Sequence, residues 1–85
     1  MGSVRLEGVR FSAYPQDHEP IHIHGAYAEV RVIVELNETT RTVEIAERND
    51  AIKPGNASRS DVKHILNVAT ANFDKLIQLW KEAHA

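Results

Sequence analysis

Cysteine is absent from this chain of 85 residues. A small secreted domain usually leans on disulfides, because its core alone holds the fold poorly. The absence therefore points to a reducing compartment, and a cytoplasmic location is expected. Long apolar runs are missing as well. Nothing approaches the roughly 20 consecutive residues of a membrane-spanning helix, and the first residues lack the apolar segment of a signal peptide. An excess of positive charge is also missing: ten Lys and Arg face twelve Asp and Glu, for a formal net charge of -2. That argues against the strongly basic surface of many nucleic-acid binders, while leaving room for a local basic patch.

What is present is ordinary for a globular chain: 42% hydrophobic and 26% charged residues. Eighty-five residues allow one domain, 1–85, with one modest core. Such a core holds a sheet and a helix but no internal substrate cavity. A ligand site is then expected in a surface groove, at an edge, or at a shared interface.

The periodicity divides the chain. Val4 and Leu6 alternate with Arg5 and Glu7, and the apolar phase flips at Gly8 to Val9, Phe11 and Ala13. A flip at glycine marks a bulge or a tight turn within a strand region spanning roughly 4–14. Pro15 to Pro20 form a connection, since prolines and acidic residues do not suit a central strand. Residues 21–24, Ile-His-Ile-His, alternate cleanly: Ile21 and Ile23 turn inward, and His22 and His24 share the opposite face. Gly25-Ala26 can turn the chain. Residues 28–36 are the strongest strand, with Val30, Val32, Val34 and Leu36 on one face and Ile33 as the exception. Asn37-Glu38-Thr39 suits a hairpin turn, and 40–47 returns as a strand. After a loop over 49–58 the period changes. Val62, Ile65, Leu66, Ala69, Phe73, Leu76, Ile77 and Trp80 follow the spacing of one helix face, predicting a single helix over roughly 59–83 with Ser58 and Asp61 as a capping pair. Val68 and Leu79 fall off that stripe and suggest a small second apolar surface. The whole predicts an α+β fold: an antiparallel sheet of three to five strands covered on one face by a long C-terminal helix.

Two segments could carry chemistry. In Asp17-His18-Glu19-Pro20-Ile21-His22-Ile23-His24, two imidazoles stand side by side on a strand, with Cα atoms ~7 Å apart, and His18 can fold over them. Imidazole titrates nearest neutrality, so a histidine pair can divide general acid and base work. Neutral imidazoles can also bind a transition metal, in which case His18, His22 and His24 are the candidate ligands. A plain polar strand face is the bland alternative. The second segment, Lys53-Pro54-Gly55-Asn56-Ala57-Ser58-Arg59-Ser60-Asp61-Val62-Lys63, leads into a helix N-terminus, where free N–H groups attract anions. Lys53, Arg59 and Lys63 could surround a phosphate there. The alternative is a capped helix start with solvated side chains.

Val9-Arg10-Phe11 ahead of the Asp17–His24 segment, and Leu76-Ile77-Gln78-Leu79-Trp80 at the end, resemble the small bacterial domain-of-unknown-function family 4160. Its members show an acid–His–x–Pro–Pro–His–x–His segment after a first strand, then a hairpin and a helix ending in aliphatic–x–x–Trp. Ile21 stands where a second proline is common. The resemblance implies one half of a type II toxin–antitoxin pair, with a cognate small protein of domain-of-unknown-function family 2442. His18, His22 and His24 are its motif positions.

Three functions remain open. The first is a toxin-like, metal-independent ribonuclease, in which His22 and His24 exchange protons with RNA and Lys53, Arg59 or Lys63 stabilises phosphate charge. It requires the histidine face and the helix N-terminus to lie close together. The second is a non-catalytic module that docks a cognate protein. The third is a metal-binding regulatory domain, which needs three or more ligand atoms converging at ~2 Å from an ion. No cofactor is expected for the first two.

Overall fold

A computed structural model describes residues 2–85. The architecture is α+β: a six-stranded antiparallel sheet with helices at the C-terminal end of the chain. The strands are β1 (Gly2–Leu6), β2 (Val9–Ala13), β3 (His22–Tyr27), β4 (Val30–Asn37), β5 (Thr42–Ile45) and β6 (Ile52–Lys53). The order is β1-β2-β3-β4-β5, with β6 also paired to β4. Among the described residues, no helix is long and apolar enough to cross a membrane.

The phase flip at Gly8 is a tight hairpin. Leu6 pairs with Val9, leaving Glu7 and Gly8 as a two-residue loop with φ of 49° and 83°. Two positive φ values are what such a turn needs to match the strand twist, and glycine supplies one of them without steric cost. Gly25 turns out differently. Instead of turning the chain, it lies inside β3, and the turn falls after Tyr27, where Ala28 takes a φ of 53°. A Cβ at Gly25 would lie 2.8 Å from Ile65 Cγ2 and 3.3 Å from Phe11 Cε1. The glycine is there because a helix crosses the strand too closely for a side chain. At the next hairpin Asn37 Oδ1 accepts hydrogen bonds from the N–H groups of Thr39 and Thr40, at 2.9 and 3.2 Å. The amide thus mimics a turn of backbone.

The predicted single helix is two: α1 (Arg59–Ala71) and α2 (Phe73–Ala83). Asn72, at φ -120° and ψ 31°, breaks it, and its side-chain Nδ2 donates to the Val68 carbonyl at 2.9 Å. α1 then packs on β3, β4 and β5, whereas α2 packs on β1, β2 and β3. A twisted sheet presents a changing direction to whatever lies across it, and the break lets the second half follow that change. It also explains Val68 and Leu79. Both are buried core residues, at 3% and 8% exposure, so these two form no second apolar surface. Ser58 sits at the N-cap without a side-chain cap bond; its Oγ lies 2.8 Å from Ser60 Oγ instead.

The core lies between sheet and helices. Phe11, Ile23, Val32, Val34, Ile65 and Leu76 are among its fully buried members. Ile33, apolar on the outer face, is covered by Ala46 and Ala51. The segment carrying them is tied down by Ile33 N–H donating to the Ala51 carbonyl at 2.8 Å and by Ala46 N–H donating to the Ile33 carbonyl at 2.9 Å. This loop carries Arg48 and Asp50 along the outer face.

Candidate functional site

The outer sheet face is read directly from the register. Arg10, Ala26, Arg31 and Lys53 lie in one row across β2, β3, β4 and β6. Ser12, His24 and Ile33 form the next row, and His22 and Glu35 the one after. Because strand side chains alternate between faces, these share the face opposite the core, with His22 at the end of its strand where its ring also reaches Trp80 of α2. The sheet thus sets a row of cations beside a row containing a histidine.

At the end of that face the 14–21 connection folds back. Asp17 N–H donates to the Tyr14 carbonyl at 3.1 Å, and the resulting turn aims the Asp17 carboxylate at both strand histidines. Asp17 Oδ2 lies 3.2 Å from His22 Nε2 and 3.0 Å from His24 Nε2. The rest of the hydrogen bonding fixes the protons. A carbonyl oxygen can only accept, so His22 Nδ1, 2.9 Å from the Pro20 carbonyl, carries a proton. A neutral His22 therefore turns the lone pair of Nε2 toward the carboxylate. His24 donates from Nε2 to Asp17, which leaves its Nδ1 as the acceptor in the neutral ring. Exposure separates the two rings: the His22 side chain is 10% exposed and that of His24 33%.

The cluster is walled by aromatic groups. Tyr14 meets His24 edge-on with centroids 4.9 Å apart. Trp80 is flanked by His22 at 5.3 Å and by His84, stacked at 3.9 Å. His84 donates from Nδ1 to the Trp80 carbonyl and from Nε2 to the Asp17 carbonyl, both at 2.8 Å. Two carbonyl acceptors demand two N–H groups, so the full set of bonds requires the imidazolium. The Trp80 carbonyl, then the Asp17 carbonyl, raise the His84 pKa above its ordinary value, against a smaller opposing desolvation. A raised folded-state pKa contributes stability that is complete below the unfolded value of about 6.5 and is lost as pH rises through the folded value. Urea midpoints are therefore expected to fall from pH 5.5 to pH 8 more in the parent than in His84→Phe. Equal falls in both would remove His84 as the source.

Two grooves flank the cluster. The first, of about 300 Å³, is lined by His24, Tyr14 and Ser12 together with Arg10, Arg31, Arg48, Lys53 and Asp50. Asp50 is the one carboxylate among those four cations. The Arg48 guanidinium, at 2.6 and 3.1 Å, holds its carboxyl below the usual range despite desolvation. The second groove is lined by Asp17, His18, His22 and Glu35, and it shares Arg48 and Ile33 with the first. Arg48 thus lines both the groove that holds His24 and the one that holds the exposed His18.

Of the residues nominated from the sequence, His22 and His24 meet at Asp17, His18 lies in the adjoining groove, and Lys53 shares a groove with His24. Arg59 and Lys63 line neither groove; they sit on α1, against the opposite face of the sheet. The required closeness of histidines and helix N-terminus is therefore not met for these two. Sequence reasoning missed Arg10, Arg31 and Arg48, whose meeting depends on cross-strand register and on a loop crossing. It also missed Asp17 as the common partner of both rings and Trp80 with His84 as their support. His64 is structural: Nε2 donates to the Glu7 carbonyl at 3.0 Å and the ring packs on Tyr27.

Fold and site together define an α+β domain with a histidine–aspartate cluster at the end of a cationic sheet face. Residues 8–81 match the family described as Domain of unknown function (DUF4160), and the chain belongs to that family. No curated protein and no solved structure matches it.

Proposed function

We propose that this protein is the RNA-cleaving component of a bacterial type II toxin–antitoxin module, acting without a metal through His24, Asp17 and His18. The observation that carries the reading is the groove that places His24 beside Arg10, Arg31, Arg48 and Lys53. The pairing with a cognate small protein of family 2442 rests on the family resemblance. Phosphate oxygens sit among the cations, of which Arg48 lines both the His24 groove and the His18 groove. Asp17 accepts the His24 Nε2 proton, which keeps the Nδ1 lone pair available. His24 takes the 2′-hydroxyl proton as that oxygen attacks phosphorus. The bond to the 5′ oxygen breaks, and His18, protonated, donates to the departing oxygen. The products are a 2′,3′-cyclic phosphate and a 5′-hydroxyl end. His22 touches no substrate in this scheme; its ring packs between His24 and Trp80 and walls the site.

The test incubates the purified chain with single-stranded RNA in chelator and identifies the ends. Cleavage to cyclic phosphate is expected, falling about 10²–10⁴-fold in His24→Ala, with growth arrest on expression lost in the same variant. Cleavage or toxicity that survives both His22→Ala and His24→Ala removes the histidine mechanism. A non-catalytic docking module is favoured by one observation: among the described residues β1 pairs with β2 alone, leaving an open strand edge. Binding of the cognate protein with no RNA cleavage and no toxicity selects that reading.

A further inference from the structure

The cluster that orients His24 has the donor set of a metal centre. Asp17, His22 and His24 each offer one ligand atom, and the three atoms lie within 4.8 Å of one another. The carboxylate oxygen is 3.2 Å from one imidazole nitrogen and 3.0 Å from the other. Neighbouring ligands held at ~2.0–2.1 Å from a tetrahedral or octahedral ion stand roughly 2.8–3.4 Å apart, so these two spacings already fit, and the two imidazole nitrogens, within 4.8 Å of each other, close on the ion by a small rotation of the rings.

The outer hydrogen bonds fit too. A metal-binding histidine typically donates its other ring N–H to a carbonyl or carboxylate, which fixes the tautomer and turns a lone pair to the ion. His22 does this through Nδ1 and the Pro20 carbonyl. Its neutral ring then points a lone pair at the Asp17 oxygen, an arrangement that repels. Either a proton on Nε2 or a cation between the two relieves it. Packing against Trp80, which His84 backs from its other side, leaves His22 little freedom to turn away.

We propose that Asp17, His22 and His24 form a binding site for a first-row transition-metal dication such as zinc, and that its occupancy silences His24 as a base. His18, which the sequence offered as the third ligand, is replaced in this set by Asp17. The fourth position is left to water. The silencing half rests on the ribonuclease reading; the site itself does not. Metal on His24 Nε2 takes the position of the proton donated to Asp17, and the neutral ring then carries its proton on Nδ1. That nitrogen becomes a donor and cannot accept from a 2′-hydroxyl.

The two halves are tested separately. Chelator-treated, desalted full chain is titrated with zinc chloride by calorimetry and with cobalt(II) by visible absorption. Saturable binding of one ion per chain is expected, with cobalt bands of low coordination number. Asp17→Asn and His24→Ala, each checked for native circular dichroism, should weaken binding about 10–100-fold or more, and His18→Ala should leave it within about twofold. No saturable binding with metal in large excess, or full affinity in both Asp17→Asn and His24→Ala, overturns the site. In the RNA assay zinc should abolish cleavage and chelator restore it. Zinc binding with undiminished or increased cleavage overturns the silencing. Zinc binding by a chain that never cleaves RNA leaves the site standing and defeats the ribonuclease reading.

Discussion

Replacing Asp17 with asparagine is expected to lower the proposed RNA cleavage by about 10²–10⁴-fold in kcat, with KM nearly unchanged. The side chains are isosteric, so the 14–21 connection and the Tyr14 turn remain. What changes is the proton pattern. The carboxylate accepts from His24 Nε2, whereas an amide can present N–H to that nitrogen. The imidazole then settles with its proton on Nδ1, the nitrogen required as acceptor. The phosphate-binding groups, Arg10, Arg31, Arg48 and Lys53, stay where they were, which is why KM should hold. Single-turnover kinetics on a short RNA, with circular dichroism as a fold control, reads this directly. An unchanged kcat would mean that Asp17 is an ordinary ion-pair partner and that the His24 tautomer is set elsewhere.

Phe11→Ala should cost about 3–5 kcal/mol of stability, the range for emptying a large buried aromatic site. Phe11 is fully buried and heads the largest such side chains by volume. It pairs across the sheet with Val4 on one side and Gly25 on the other, and its ring fills the space that the missing Gly25 side chain leaves. A cavity there has backbone on two sides, so collapse is restricted. Small domains have total stabilities toward the low end of about 5–15 kcal/mol. At roughly 4–8 °C per kcal/mol for a domain of this size, Tm should fall by more than about 12 °C. Thermal and urea melts measure it. A loss below about 1 kcal/mol would show that helix α1 settles into the vacated space.

The elements were legible from periodicity, because alternation and the 3.6-residue stripe are consequences of burying one face. The hairpin at Asn37 and the helical region appear where the pattern places them, and the strand expected over 28–36 runs Val30–Asn37, because Ala28 and Glu29 form the turn before it. The break at Asn72 was not legible: its spacing of apolar residues is the same as that of an unbroken helix over one turn. Gly25 was misread because a glycine that permits a turn and a glycine that permits close helix approach look alike in one dimension.

The site divides the same way. Sequence by itself determined that His22 and His24 share a strand face, since a period of two leaves no choice. It also placed Asp17 and His18 in a proline-bounded connection. Only the tertiary structure decided that Asp17 folds back to both rings, that Trp80 and His84 support them, and that Arg10, Arg31, Arg48 and Lys53 meet beside His24 while Arg59 and Lys63 do not. The reason is physical. Face and period are local properties of a strand, set within a few residues. Register, the crossing of a loop and the side of the sheet a helix takes depend on partners far along the chain, and no local spacing encodes them.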